Sequence, residues 1–174
     1  MKFKYFALLY LFILMSCSSA KVIYDYDKTI DFTQFKTYHI FENAGEGLSK
    51  FDADRMISSI DSLMNIKGFI KQDNPDFFVD FKANKTENYN RNTISIGFGN
   101  LGRNTSIGVS GGIPIDNKKY IEEITIDFVT AEKQELFWQG ILSSKIPEKT
   151  IPEKRMVYFD EVATRILDGY PPKK

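Results

Sequence analysis

At 174 residues, 43% hydrophobic, with 15 Phe and 9 Tyr, the chain has the length and apolar content of one domain with a substantial core. Its 23 Lys+Arg offset 23 Asp+Glu, so no basic excess argues for nucleic acid and no polybasic block argues for adsorption to anionic lipid. One cysteine, Cys17, excludes an intrachain disulfide or a multi-thiolate metal site, and the fold must stand on its packing.

At the N-terminus, Lys2 and Lys4 precede an eleven-residue apolar run from Tyr5 to Met15. That matches a secretory signal and falls short of the roughly 18–20 residues a spanning helix needs. Leu14-Met15-Ser16-Cys17 resembles the bacterial lipobox, with leucine three before the cysteine and a small residue directly before it. The resemblance implies cleavage after Ser16, a diacylglycerol and palmitate on Cys17, and a place in the cell envelope, at the outer membrane and facing the periplasm. Residues 1–16 are then a lipoprotein signal peptide, 17–21 the acylated cysteine and a polar tether, and 22–172 one domain. Losing Lys2 and Lys4 leaves 21 basic against 23 acidic residues. At about 0.8 kcal/mol per buried CH₂, one acyl chain anchors reversibly and two or more anchor stably.

Val22 to Asp27 alternates as a strand, Asp31 to Phe35 forms a turn with two aromatic pins, and Lys36 to Phe41 reads as a second strand. Gly45 and Gly47 mark a loop. A helix follows, with Ser49 or Asp52 as its cap and Met56, Ile57, Ile60, Leu63 and Met64 as its apolar stripe. Gly68 is placed to end it in the left-handed conformation, with Phe69 packing back towards Met64. Past Pro75, Asp76 to Ala83 alternates with Phe77, Val79 and Phe81 on one face. Asn84 to Lys119 is rich in Asn, Gly, Ser and Thr, with thin strands expected at 93–98 and 106–110. Tyr120 to Thr130, with Ile124, Ile126 and Phe128 inward, and Leu136 to Ile146, with Leu136, Trp138, Gly140 and Leu142 on one face, form a hairpin. Pro152 opens a last helix with a stripe of Phe159, Val162, Ala163, Ile166 and Leu167, Gly169 stops it, and Tyr170-Pro171-Pro172 seals the end. The expected fold is α+β, an antiparallel β-sheet of roughly six strands with two α-helices packed on one face.

Several of these stretches resemble one family. Val22 to Asp27 followed by Asp31-Phe32-Thr33-Gln34-Phe35-Lys36-Thr37-Tyr38 is similar to the opening of the bacterial lipoprotein domain of unknown function DUF4136. The similarity continues in Lys67-Gly68-Phe69, Asn74-Pro75-Asp76-Phe77-Phe78-Val79, Leu136-Phe137-Trp138-Gln139-Gly140, and Ile166-Leu167 with Tyr170-Pro171. The aromatic-rich style resembles members from Bacteroidetes-like bacteria. The resemblance implies an envelope lipoprotein with an α+β domain and implies no activity.

The motifs that spell chemistry lack their settings. Gly97-Phe98-Gly99-Asn100-Leu101-Gly102 matches G-x-G-x-x-G, but the following Arg103 to Gly108 is no helix to receive a pyrophosphate. Gly108-Val109-Ser110-Gly111-Gly112 matches G-x-S-x-G, but the only histidine, His39, precedes the serine and Pro114 forbids an immediate helix. Asp25, Asp27 and Asp31 suggest calcium until Ile30 is found at the glycine position of an EF-hand loop and Lys36 at the glutamate position. Glu122, Glu123, Asp127 and Glu132 read as the wet face of a strand. Glu123 and Glu161 are not assigned as an acid and base pair. The expected protein is therefore a non-catalytic lipoprotein without metal or cofactor and without nucleic-acid partners. It is held to the membrane through Cys17 and contacts an envelope protein or cell-wall component through Phe98, Asn100, Leu101, Arg103 and Asn104. The alternative is a periplasmic carrier or sensor of a small apolar ligand, suggested by the aromatic content, and a hydrolase is the remote one.

Overall fold

The computed structural model describes residues 22–88, 119–147 and 150–172. The lipobox, Cys17 and the expected thin strands at 93–98 and 106–110 lie outside them. Among the described residues the strands are β1 (Val22–Tyr26), β2 (Thr37–Ile40), β3 (Ile70–Lys71), β4 (Phe77–Asn88), β5 (Lys119–Thr130) and β6 (Leu136–Pro147). The helices are α1 (Lys50–Ile66) and α2 (Pro152–Leu167). All six strands form one sheet in the order β1-β6-β5-β4-β2-β3.

The sheet is mixed, which corrects the purely antiparallel expectation. β1, β6, β5 and β4 pair antiparallel, but β2 runs parallel to both β4 and β3. The reason lies in the connection. α1 carries the chain from β2 back to the end where β2 began, so the next strands must run the same way, as in any strand–helix–strand crossover. β3 is only two residues long and was not anticipated; it caps the sheet beside β2.

Alternation sets the core. Phe77, Val79 and Phe81 of β4, and Ile124, Ile126 and Phe128 of β5, face the helices and are fully buried. Met56, Ile60 and Met64 of α1, and all five stripe residues of α2, close over them. β6 departs from simple alternation. A register shift opposite Phe128 and Val129 turns both Phe137 and Trp138 into the core and leaves Leu136 53% exposed. A bulge of this kind puts two neighbouring side chains on one face, so Phe137 occupies the inward place expected of Leu136. Phe137 stacks on Phe35 with centroids 4.4 Å apart.

The short motifs act as clips. Ser49 caps α1, its hydroxyl accepting from the Asp52 N–H at 3.3 Å. At the other end Gly68 adopts φ +87°, and the Phe69 N–H reaches the Met64 carbonyl while the Gly68 N–H reaches that of Asn65, both at 2.9 Å. That is a Schellman termination. The Asp31 carboxylate caps a short 3₁₀ turn, Phe32–Gln34. Asp76 accepts the N–H groups of Lys36 (2.8 Å) and Thr37 (2.9 Å), pinning the start of β2 to the start of β4. The last helix ends at Leu167, just before Gly169 as expected, and Gly169 has a second role. The Tyr24 ring lies directly against it, where a Cβ would collide, and the Tyr24 hydroxyl donates to the Arg165 carbonyl at 2.8 Å.

Candidate functional site

α1 and α2 run side by side in the same direction, so both helices begin at one end of the sheet. α1 starts just past Gly47, whose φ of +80° lets its backbone press on the Ala83 carbonyl, and α2 starts just past Pro147. Between these two starts lies a cleft of about 340 Å³, lined among others by Asp52, Arg55, Lys85, Pro147 and Arg155.

The cleft is held by an ion network. Arg155 Nη2 donates to Asp52 Oδ2 at 2.8 Å, its Nε to Asp52 Oδ1 at 3.3 Å, and its Nη1 to Glu122 Oε2 at 3.4 Å. Arg55 Nη1 adds a bond to Asp52 Oδ1 at 2.7 Å. Arg155 thereby ties α2 to α1 and to β5, and its guanidinium lies 4.7 Å from the Phe159 ring centroid and 5.1 Å from that of Tyr158. Burial alone would raise the Asp52 carboxyl, but the Arg155 guanidinium, then Arg55 and Ser49, outweigh it and hold it below the ordinary carboxylate range. Burial would likewise lower Arg155, and its bonds to Asp52 and the charge of Glu122 raise it instead. Beside this network Ser144 and Tyr158 share a hydrogen bond of 2.7 Å, and Ser59 donates to Asp160 and to the Arg55 carbonyl.

Two acidic residues of β5 therefore differ from the expected solvated face. Glu122 is buried towards the helices, 3% exposed, because it shares a side of the strand with Ile124. Asp127 is 9% exposed on the opposite side, where Gln139 Nε2 donates to it at 2.6 Å and Lys82 at 3.3 Å. Asp80, paired across from Asp127, is raised by burial and by that neighbouring charge, against the Phe81 N–H that favours ionisation. Glu123 and Glu161 sit on opposite sides of the sheet, Glu123 next to Ser143 and Glu161 paired with Arg165 on α2.

Cys17 lies outside the described residues, as do Phe98, Asn100, Leu101, Arg103 and Asn104, the G-x-G-x-x-G stretch and Ser110. What the structure describes is the frame of the Gly/Asn segment. Asn88 pairs with Lys119, so that segment leaves and re-enters the sheet at the helix-start end. His39 Nδ1 lies 3.1 Å from the Gln72 carbonyl and 4.0 Å from Asp73, on the face without helices. Asp25 bonds the Tyr26 N–H, and Asp27 and Asp31 bond Thr29 and Thr33 in their own turns. Among the described residues no group of three or more His, Cys, Asp or Glu is placed to hold a metal, and no helix is long and apolar enough to cross a membrane. The ion network was missed from the sequence, although a signal existed. Arg155 falls on the stripe of Phe159, Val162 and Ile166, so a cation there has to be buried and paired.

Among curated proteins none matches this chain. Of solved structures, a PDZ domain protein from Parabacteroides distasonis is similar with a TM-score of 0.54 at 14% identity, over 89% of this chain and 36% of that one. This chain thus spans little more than a third of that protein. A variant of PelC from Paraburkholderia phytofirmans, a dodecamer, gives a TM-score of 0.51 at 7% identity over 84% of this chain and 96% of that one. A DUF4136 family protein from Bacteroides thetaiotaomicron gives 0.49 at 12% identity, over 87% and 96%. At these identities the first two likenesses speak for the fold alone. The family model for the domain of unknown function DUF4136 matches residues 22–172, from the first residue of β1 through the aromatic seal at Tyr170 and beyond, and the chain belongs to that family.

Proposed function

We propose that this chain is a non-catalytic envelope lipoprotein, tethered through acylated Cys17 at the outer membrane and facing the periplasm, whose folded domain contacts another envelope component. The observation that carries this reading is the order of the N-terminus. Lys2 and Lys4, an apolar run ending at Met15, and the lipobox-like Leu14-Met15-Ser16-Cys17 stand five residues before the first residue of a DUF4136 domain. The aromatic residues support a packing role rather than ligand carriage, because Phe77, Phe128, Phe137 and Tyr170 fill one another's space with centroids 4.6–6.5 Å apart.

Growing cells with a clickable fatty acid should label the wild-type chain and leave Cys17→Ala unlabelled; an unlabelled wild type would sink the anchor. For the contact, a photo-crosslinker at Phe98 or Arg103 should capture a specific envelope protein or cell-wall fragment. If removing the Gly/Asn segment leaves every captured partner unchanged, the contact lies elsewhere.

A further inference from the structure

We infer that β1, the strand at the free edge of the sheet, is a self-pairing strand. It takes β1 of a second copy of this chain, antiparallel about Ile23, and so joins two sheets into one. The inference goes beyond the anchor reading and does not depend on it.

Three observations converge on this strand. The first is the direction of its backbone. β1 is outermost in the sheet and pairs with β6. The Asp27 N–H donates to the Phe137 carbonyl at 3.0 Å, so Asp27, and with it Asp25 and Ile23, turn their backbone groups toward β6. Val22, Tyr24 and Tyr26 therefore point theirs away from the sheet. Among the described residues no segment pairs with them there, and an edge of this kind is a template for a further strand. The second is what remains unsatisfied along that edge. The Asp25 carboxylate accepts the Tyr26 N–H at 2.9 Å, which closes the edge at that residue. Val22 and Tyr24 are left, and two copies satisfy both when Val22 of one lies opposite Tyr24 of the other. That register places the two-fold axis at Ile23.

The third is the set of side chains this register brings together. Ile23 lies beside Ile141 on the face without helices and is 54% exposed. Opposite its own copy it forms an apolar pair at the close spacing of a non-hydrogen-bonded position. Lys21 stands two residues before Ile23 in the sequence and Asp25 two after. An antiparallel second copy thus sets a cation against a carboxylate on either side of the isoleucines. A register centred on Tyr24 would instead put each Ile23 against Asp25 and ask for the Tyr26 N–H that Asp25 already holds. One centred on Asp25 would set two carboxylates together. The strand at the opposite edge, β3, is two residues long and too short to guide a register.

The test uses the purified full chain in mild detergent, oxidised with copper-phenanthroline and read on a non-reducing gel. Cysteine is placed singly at Ile23, Asp25 and Ile66, all exposed positions. Ile23→Cys should give a disulfide-linked dimer roughly tenfold above Ile66→Cys, because the paired Cα atoms stand about 4.5 Å apart, a gap a disulfide spans. Asp25→Cys should stay at the Ile66→Cys level, since the register offsets its two copies by about 13 Å along the strands. Adding Asp25→Lys to Ile23→Cys should lower the dimer roughly fivefold, and adding Lys21→Asp as well should restore it. Dimer from Asp25→Cys in place of Ile23→Cys overturns the register. Equal dimer at all three positions, or at none, overturns self-pairing, and the latter result gives the edge to a strand of another protein. A double charge swap that restores nothing overturns the charge pairing. The parent chain, whose one cysteine is Cys17, should give no dimer. A parent that does dimerise has a free thiol at Cys17, which fails the anchor reading, and self-pairing then stands or falls on the excess of Ile23→Cys over that parent.

Discussion

At Gly140 one hydrogen atom sets the distance between sheet and helix. A Cβ there would lie 2.5 Å from Ile166 Cγ2 and 2.9 Å from the Trp138 ring, both fully buried. Gly140→Ala should therefore destabilise by about 2 kcal/mol through overpacking, read as a lower urea midpoint with an unchanged slope. Tyr170 presents the opposite case. Its ring is wedged against Trp138, Phe128 and Phe69, and its hydroxyl has no hydrogen-bond partner among the described residues. Burial pushes that hydroxyl's pKa above its ordinary value. Tyr170→Phe removes a desolvated group and keeps the ring, so it should be neutral or stabilising by about 1 kcal/mol. A clear loss of melting temperature would show that the hydroxyl has a partner after all.

Among the elements, α1 shows how a local signal fixes a boundary. Gly68 has φ +87° with nothing within 4 Å of a built Cβ, so its demand is conformational only. Gly68→Ala should cost about 1 kcal/mol, and Gly68→Asn less, both measurable by chemical denaturation. The contrast with Gly140 is useful, since one glycine serves the backbone and the other serves space. Asp76 and Asp31 show the same economy in the family-like stretches, where each carboxylate satisfies N–H groups at the start of an element. These stretches were legible because capping and turn chemistry act over a few residues. The bulge in β6 was not, because Leu136 and Phe137 are both apolar and the choice between them depends on how β5 pairs opposite.

Across the whole molecule, Arg155 locks two helices and a strand through Asp52 and Glu122, whose side chains are 16% and 4% exposed. Asp52 and Asp76 are both held below the ordinary value of 3.8. A carboxyl depressed in the folded state stabilises fully above its unfolded pKa, and that stability is lost as pH falls through the folded value. Stability should thus decline below about pH 4, checked by urea unfolding at a series of pH values. Asp52→Asn should lessen that acid dependence. At neutral pH it should cost about 3 kcal/mol, because it leaves the buried Arg155 short of a charge. An acid limb identical in wild type and Asp52→Asn would show that the network contributes nothing to it.

Local patterns in the chain specified the two helices, their caps and stripes, five of the six strands of the described sheet, the aromatic core and the family. Each of these is written in periodicities and short spacings that one segment carries alone. The packing of the whole molecule settled that β2 runs parallel, that Phe137 and not Leu136 faces inward, and that Arg55, Lys85 and Arg155 share one cleft. Those outcomes depend on which segment lies opposite which, across separations of up to about a hundred residues. No local pattern specifies them, because pairing partners and helix neighbours are selected by the packing of the whole core.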